Sequence, residues 1–368
     1  MSYVYDRRLR KIKEKASEKT LDVVIIKSAP NVFYFTGFEG GGVLFIPVDG
    51  DPILLVSRLE YERAKATSFV EDIRVQALKD TPLKVDEKPV YAETAEKAIC
   101  CLLEELKAKK VGVEAPTPKL EEALKKTIGI DTIVDFTDVV TSMRSVKDEV
   151  ELEYMAKAVK VTERAMKRAI EVIDVGVSER EVAAEIAKVL YSEGVPSFEP
   201  IVASGENSVY PHFTPSERKI TEGDLVIVDV GAKINGYCAD MTRTLYIGKP
   251  RGKIKELLYS VLEAQRKAIE AIARGKACSE VDKVARDYLR EKGLAKFFVH
   301  SLGHGVGIEV HEKPALSTTS KDVLERNMVV TVEPGVYVPG LGGVRIEDMV
   351  LVTEKGYRVL TTFERELF

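Results

Sequence analysis

The sequence predicts an α/β domain at the amino terminus followed by an α+β domain with internal pseudo-twofold symmetry. Three observations carry that expectation. Residues 21–126 alternate short apolar runs with helical stretches, the order of features in Glu171–Gly194 returns in Glu270–Leu294, and two pairs of acids interrupt otherwise apolar strands in the second half. At 368 residues the chain has room for two domains, each with its own core.

In chain order, Leu21–Ile26, Gly42–Ile46 and Pro52–Val56 read as strands, and Val111–Val113 starts another. Leu59–Ala66, Ala95–Lys107 and Leu120–Lys126 read as helices, so a sheet covered by helices is expected. This part carries no metal, phosphate or nucleophile motif, and no histidine precedes His212. A connecting stretch is expected around Asp138–Lys147. A long amphipathic helix then runs from about Asp148 to Val172, with Val150, Met155, Ala158, Val159, Thr162 and Met166 at helical spacing. The boundary is placed near residue 140, giving domains 1–140 and 141–368.

Within the second domain each repeat runs helix end, glycine (Gly176, Gly275), a serine suited to an N-cap (Ser178, Ser279), helix, glycine (Gly194, Gly293). A histidine-bearing segment follows each: His212 in the first, His300 and His304 in the second. Each half then closes with two acid-bearing strands, and the matching order points to duplication.

Composition narrows the function. A net charge of −4 is too small for a strong nucleic-acid or membrane-surface binder. No apolar run approaches the roughly 18 residues that a membrane span needs. The first fifteen residues are charged throughout and offer no signal-peptide core, so a cytoplasmic protein is expected. Cys100, Cys101, Cys238 and Cys278 form no CxxC pair and read as reduced thiols. Asn and Gln together number six beside abundant Lys and Glu, a trend of hyperthermophile proteins.

The acids point to chemistry. Leu225–Gly231 is an apolar strand with Asp229 in its middle, and Tyr237–Ile247 returns with Asp240 after the turn Lys233–Gly236. A turn centred between Ile234 and Asn235 sets the aspartates directly opposite; one centred on Asn235–Gly236 makes them diagonal neighbours. Either way they share a face, with Cβ atoms about 4.5–8 Å apart. Met328–Glu333 and Gly343–Val350 repeat the arrangement, and a hairpin centred on Gly340 puts Glu333 opposite Glu347. Burying one unpaired carboxylate costs several kcal/mol, and a like charge beside it adds to that. An Arg or Lys partner, an edge strand facing solvent or a shared proton would relieve either pair, but four acids with a histidine nearby suit a divalent metal better. His304, between Gly303 and Gly305, adds an imidazole, and oxygen-rich coordination with one imidazole favours Mn²⁺, Co²⁺, Fe²⁺ or Zn²⁺. Carboxylates able to bridge suit two ions about 3.5–4 Å apart.

The stretches Val228–Gly231, Gly236–Thr244 (with Asp240-Met241-Thr242-Arg243), Gly303–Gly307, Val332–Gly335 and Val344–Asp348 resemble the metal-site motifs of the pita-bread peptidases. This creatinase/aminopeptidase-like family includes methionine aminopeptidase, aminopeptidase P and prolidase. Asn31–Phe38, the overall length and the amide-poor composition are similar to prolidases of hyperthermophilic archaea. The resemblance implies a pita-bread catalytic domain and two divalent ions per subunit, Co²⁺ or Mn²⁺ ahead of Zn²⁺ or Fe²⁺. Asp229 would hold one metal and His304 the other, Asp240 and Glu347 would bridge, and Glu333 would ligate and shuttle protons. His212 and His311 match histidines that contact the substrate carbonyl. Arg345 either grips the substrate's free carboxylate or pairs with a ligating acid. His300 is given no role beyond packing or capping.

The implied reaction is hydrolysis of an Xaa-Pro dipeptide by a metal-bridging hydroxide, with Glu333 passing the proton to the proline nitrogen. Methionine aminopeptidase is disfavoured by Arg345 and by the amino-terminal domain. Aminopeptidase P, acting on longer Xaa-Pro peptides, differs mainly in how the space beyond proline is closed. A non-catalytic binding protein on the same fold would lack this ligand set. The resemblance also implies a homodimer.

Overall fold

A seven-stranded mixed sheet organises the amino-terminal unit. The computed structural model describes residues 2–130 and 132–368; Met1 and Asp131, both within the domain 1–140 read above, lie outside the described residues. The chain divides into two units, Met1–Arg144 and Ser145–Phe368. The first contains α1 (Ser2–Glu18), β1 (Val23–Ile26), α2 (Ala29–Thr36), β2 (Val43–Pro47), β3 (Ile53–Ser57), α3 (Tyr61–Thr67), β4 (Asp72–Ala77), β5 (Lys88–Tyr91), α4 (Ala95–Glu105), β6 (Lys110–Val113), α5 (Pro118–Ile128), β7 (Thr132–Asp135) and α6 (Thr137–Ser145). The sheet order is β5-β4-β3-β2-β1-β6-β7. β1 lies between β2 and β6 and is buried at all its positions, which is why it reads as an unbroken apolar run. The stretch expected to connect the domains is instead the helix α6. Val140 and Met143 bury its inner side, too few positions for a clear period.

The second unit opens with α7 (Glu149–Val172), closed at its start by an Asp148–Glu151 capping box, and α8 (Glu179–Glu193), with the same device in Ser178 and Glu181. β8 (Val195–Pro196), β9 (Ile201–Ser204), β10 (Leu225–Val230), β11 (Ala232–Ile234), β12 (Tyr237–Cys238) and β13 (Met241–Tyr246) follow. The second half has α9 (Gly252–Glu270), α10 (Cys278–Glu291), β14 (Gly303–Gly305), β15 (Glu312–Leu316), β16 (Val329–Val332), β17 (Gly335–Val338), β18 (Gly342–Arg345), β19 (Asp348–Thr353) and β20 (Gly356–Val359). The pair α7/α8 buries Val161, Met166, Val182 and Ile186 against β10, and α9/α10 bury Leu258, Val261, Val281 and Ala285 with β16 and β19.

The repeat is visible in the backbone. Gly176 N donates to Ile220 O and Gly275 N to Leu324 O, both at 2.8 Å, and isolated bridges pair Ser178 with Lys219 and Ala277 with Val323. Ala277, not Ser279, therefore occupies the position equivalent to Ser178. It is the N-cap residue of α10, and Ser279 lies inside the first turn.

Candidate active site

Two hairpins deliver the acids. β10 pairs with β13 in the register Asp229↔Thr242, and β11 with β12 as Ile234↔Tyr237. The turn therefore centres on Asn235-Gly236, both at positive φ (49° and 81°), and Asp229 and Asp240 are diagonal neighbours. In the other half β16 pairs with β19 as Val332↔Asp348 and β17 with β18 as Gly335↔Arg345. Both ladders share the register that sets Glu333 against Glu347. The halves meet where Glu347 N donates to Thr242 O at 3.1 Å and Arg345 N to Thr244 Oγ1 at 3.1 Å.

His304 sits on β14, where the strands press together. A Cβ at Gly303 would lie 2.1 Å from Thr331 O and one at Gly305 2.2 Å from Lys313 O, so only glycine fits on either side of the ring. His304 Nδ1 faces its neighbour Gly305 O at 3.2 Å, which turns Nε2 to Glu333 Oε1 (3.2 Å) and Asp240 Oδ2 (3.7 Å). One ligand atom each from Asp240, His304 and Glu347 lies within 4.8 Å of the others.

These groups line a cavity of about 540 Å³ that also takes in Asp229, Glu333, His212, His300, His311 and Arg345. Every site residue read from the sequence is thus in one place. His212 and His311 are exposed, and the His311 ring meets His304 edge-on at 4.2 Å. Arg345 is buried. It donates to Asp229 Oδ2 (2.6 Å), Tyr337 OH (2.8 Å), Pro211 O (3.0 Å) and Thr242 Oγ1 (3.2 Å). Pairing with an acid, one of the two roles open to it, is therefore realised. His300, which had no assigned role, packs edge-on against Phe298 and places Nε2 3.1 Å from Tyr337 OH.

Electrostatics match a cation site. Burial, then the neighbouring Glu347 and Asp229, push the Asp240 carboxyl well above its ordinary range; burial, then Glu333 and Asp229, do the same to Glu347. Burial also opposes ionisation of Glu333, but its hydrogen bond to His304 overrides that and holds it low, at about 2. Although the His311 residue is largely exposed, partial desolvation of its ring and then the adjacent His304 lower its pKa, which favours the neutral imidazole. Asp229 Oδ1, Asp240 Oδ1 and Glu347 Oε1 are buried and accept no hydrogen bond. Unsatisfied oxygens on Asp240 and Glu347, grouped with the His304 imidazole, and a third on Asp229 in the same cavity wall fit divalent ions, which would supply the missing partners.

Sequence reasoning missed the residues that hold the ligands. Thr242 donates to Glu347 Oε2 at 2.7 Å, and Thr331 reaches Glu333 Oε1 at 3.3 Å while accepting His304 N. Each threonine lies two residues from an acid on its strand, the one signal that could have found it. Glu179 was also missed. Fully buried at the first turn of α8, it accepts from Ser204 N and Oγ, Asn207 Nδ2, and Ser216 N and Oγ. It closes the loop 205–215 that presents His212.

Residues 153–354 match metallopeptidase family M24, and residues 8–146 match the creatinase/prolidase N-terminal domain. The chain belongs to metallopeptidase family M24. Among its M24 relatives, the Xaa-Pro dipeptidase of Pyrococcus furiosus is 40% identical over 98% of this chain and 99% of its own. The crystal structure of the prolidase from Pyrococcus horikoshii OT3 superposes with a TM-score of 0.86 at 38% identity, covering 98% of this chain and 100% of that one. The X-Pro aminopeptidase from Thermotoga maritima MSB8 also gives 0.86, at 33% identity over 98% and 99% of the two chains. The pita-bread catalytic domain behind a creatinase-type amino-terminal domain, expected from the motifs, is the fold of this M24 chain. Among the described residues no helix is long and apolar enough to cross a membrane.

Proposed function

We propose that this M24 peptidase hydrolyses the peptide bond before proline in Xaa-Pro dipeptides. Two divalent ions, Co²⁺ or Mn²⁺ ahead of Zn²⁺ or Fe²⁺, would be held by Asp229, Asp240, His304, Glu333 and Glu347. The observation that carries the reading is the grouping of Asp240 and Glu347 with His304, in a cavity where both acids and Asp229 keep buried, unpartnered oxygens. The full-length likeness to a Pyrococcus Xaa-Pro dipeptidase supplies the substrate class.

When bound, the ions would polarise the scissile carbonyl and lower the pKa of an attacking water. The chain's own residues do the rest. Glu333, in the cavity wall beside His304, takes the water's proton and passes it to the departing nitrogen. That transfer is required because an Xaa-Pro bond is a tertiary amide, whose nitrogen carries no hydrogen and leaves only when protonated. His311 and His212, at the open side of the cavity, donate to the carbonyl oxygen as it gains charge. Arg345 has one Nη2 hydrogen left after its bonds to protein, enough to contact the substrate's carboxylate. A cavity of about 540 Å³ suits a small substrate.

Aminopeptidase P activity on longer Xaa-Pro peptides is a second reading, favoured by the equal TM-score of the Thermotoga enzyme. Chelator-stripped protein restored with Co²⁺ or Mn²⁺ and assayed hot on Met-Pro, Met-Pro-Ala and Met-Ala-Ala separates them. Cleavage of Met-Pro alone supports the dipeptidase and preference for Met-Pro-Ala the aminopeptidase. No turnover with any metal would leave a binding protein. A homodimer, a cytoplasmic setting and adaptation to heat are proposed with this reading, the first from family resemblance and the others from composition.

A further inference from the structure

Behind the acids lies a second charged cluster that the proposed reaction does not use. Arg243 and Asp348 are both completely buried, with Arg243 Nη2 2.8 Å from Asp348 Oδ1. Every guanidinium hydrogen of Arg243 is committed. Nε donates to Glu364 O (2.8 Å), Nη2 also to Phe363 O (2.7 Å), and Nη1 to Glu347 O (2.6 Å) and Thr242 O (2.9 Å). Asp348 also accepts from Thr361 Oγ1 (2.8 Å), Gln265 Nε2 (2.7 Å) and Arg365 Nε (2.6 Å). One side of this cluster therefore grips the backbone of Glu347 and of Thr242, whose hydroxyl holds the Glu347 carboxylate. The other side grips the last turn of chain, residues 361–365, and Leu367 continues beside Leu245 of β13.

A buried ion pair contributes little net stability, because desolvation offsets much of its attraction. What this one does provide is geometry: five donors in a fixed plane locate one backbone carbonyl of the candidate metal site relative to the carboxyl-terminal segment. We propose that residues 361–367 act as a strap on the metal centre, and that Arg243, a positioning residue, transmits the strap to Glu347 and so sets metal affinity. The inference rests on the proposed ligand role of Glu347.

The test is Co²⁺ titration calorimetry on full-length, chelator-stripped protein, with the melting temperature of each metal-free variant measured alongside. Arg243→Lys keeps the charge but cannot fork to five oxygens, and is expected to weaken Co²⁺ binding about 10-fold or more, as loss of groups that orient metal ligands generally does. Arg365→Ala removes one partly exposed arm on Asp348 and is expected to weaken binding several-fold while still folding. Should Arg243→Lys not fold, Arg365→Ala decides alone. Variants that melt lower yet bind Co²⁺ as the parent does would overturn the strap and leave a structural pair. A parent chain that takes up no Co²⁺ would instead overturn the metal reading, and the strap with it.

Discussion

Arg345 and Asp229, 116 residues apart in sequence, share a 2.6 Å hydrogen bond in the wall of the cavity. The carboxylate that it reaches lines the same cavity as Asp240, Glu333 and Glu347, so a fixed positive charge touches the acid cluster at Asp229. Removing one partner of such a buried pair costs about 2–5 kcal/mol. Arg345→Met is therefore expected to lower kcat/KM for Met-Pro about 100-fold or more, with Arg345→Lys intermediate because it cannot serve Asp229, Tyr337 and Pro211 at once. Steady-state kinetics check this. A change confined to KM would show that the remaining Nη2 hydrogen reads the substrate carboxylate and that the Asp229 contact is incidental.

Glu333→Gln keeps the shape and the hydrogen bond to Thr331 but removes the base. The expected outcome is a fall in kcat of about 10²–10⁴-fold with Met-Pro binding nearly unchanged. Pre-steady-state and equilibrium binding measurements on the metal-restored variant separate the two parameters. Loss of metal uptake instead of turnover would place Glu333 among the ligands only.

Metal stabilisation should grow with pH. In the metal-free protein Asp240 and Glu347 hold their protons well above the ordinary carboxylate pKa of about 4, so the folded state binds more protons than the unfolded one. Their contribution favours the fold below that pH and is lost as pH rises through the raised values. An ion takes over the role of the lost protons. Melting curves with and without Co²⁺ at pH 5 and pH 8 should therefore show the larger shift at pH 8, with protons released on binding. An equal or smaller shift at pH 8 would contradict the assignment of these two acids.

Glu179→Ala would leave the buried donors of Ser204 and the half-buried donors of Asn207 and Ser216 without this acceptor, at a cost of about 1–3 kcal/mol for each that water cannot reach. The expected result is a lowered melting temperature and a several-fold rise in KM as the loop bearing His212 loosens, with Co²⁺ affinity unaltered. Thermal melts, kinetics and calorimetry on one preparation decide it.

Legibility from sequence followed burial. Asp229 and Glu333 stood out because a carboxylate in an apolar run has few explanations, and Gly303 and Gly305 marked His304 because nothing larger fits there. β1 was legible since all four residues are inside, whereas β4, with alternate positions half-exposed, carried too weak a pattern to be read. α1 was hidden by its charges, and Ser279 misled because a serine beside a helix start need not be its cap. The sequence of the first hairpin is compatible with two registers, and the observed pairing with positive φ at Asn235 and Gly236 selects one. Glu179, Thr242 and Thr331 were illegible for another reason. The partners of Glu179 and Thr242 lie 25 to 105 residues away, and a threonine two residues from an acid, as Thr331 is from Glu333, is too common a spacing to mark a role.

The central claim is that five residues from two duplicated hairpins and β14 form one dinuclear centre. Anomalous diffraction from crystals grown with Co²⁺ tests it most directly. Two cobalt peaks are expected in the cavity, with Asp240 and Glu347 between them and Asp229, His304 and Glu333 as the remaining protein ligands. A cavity without cobalt, or cobalt bound away from these residues, would contradict it.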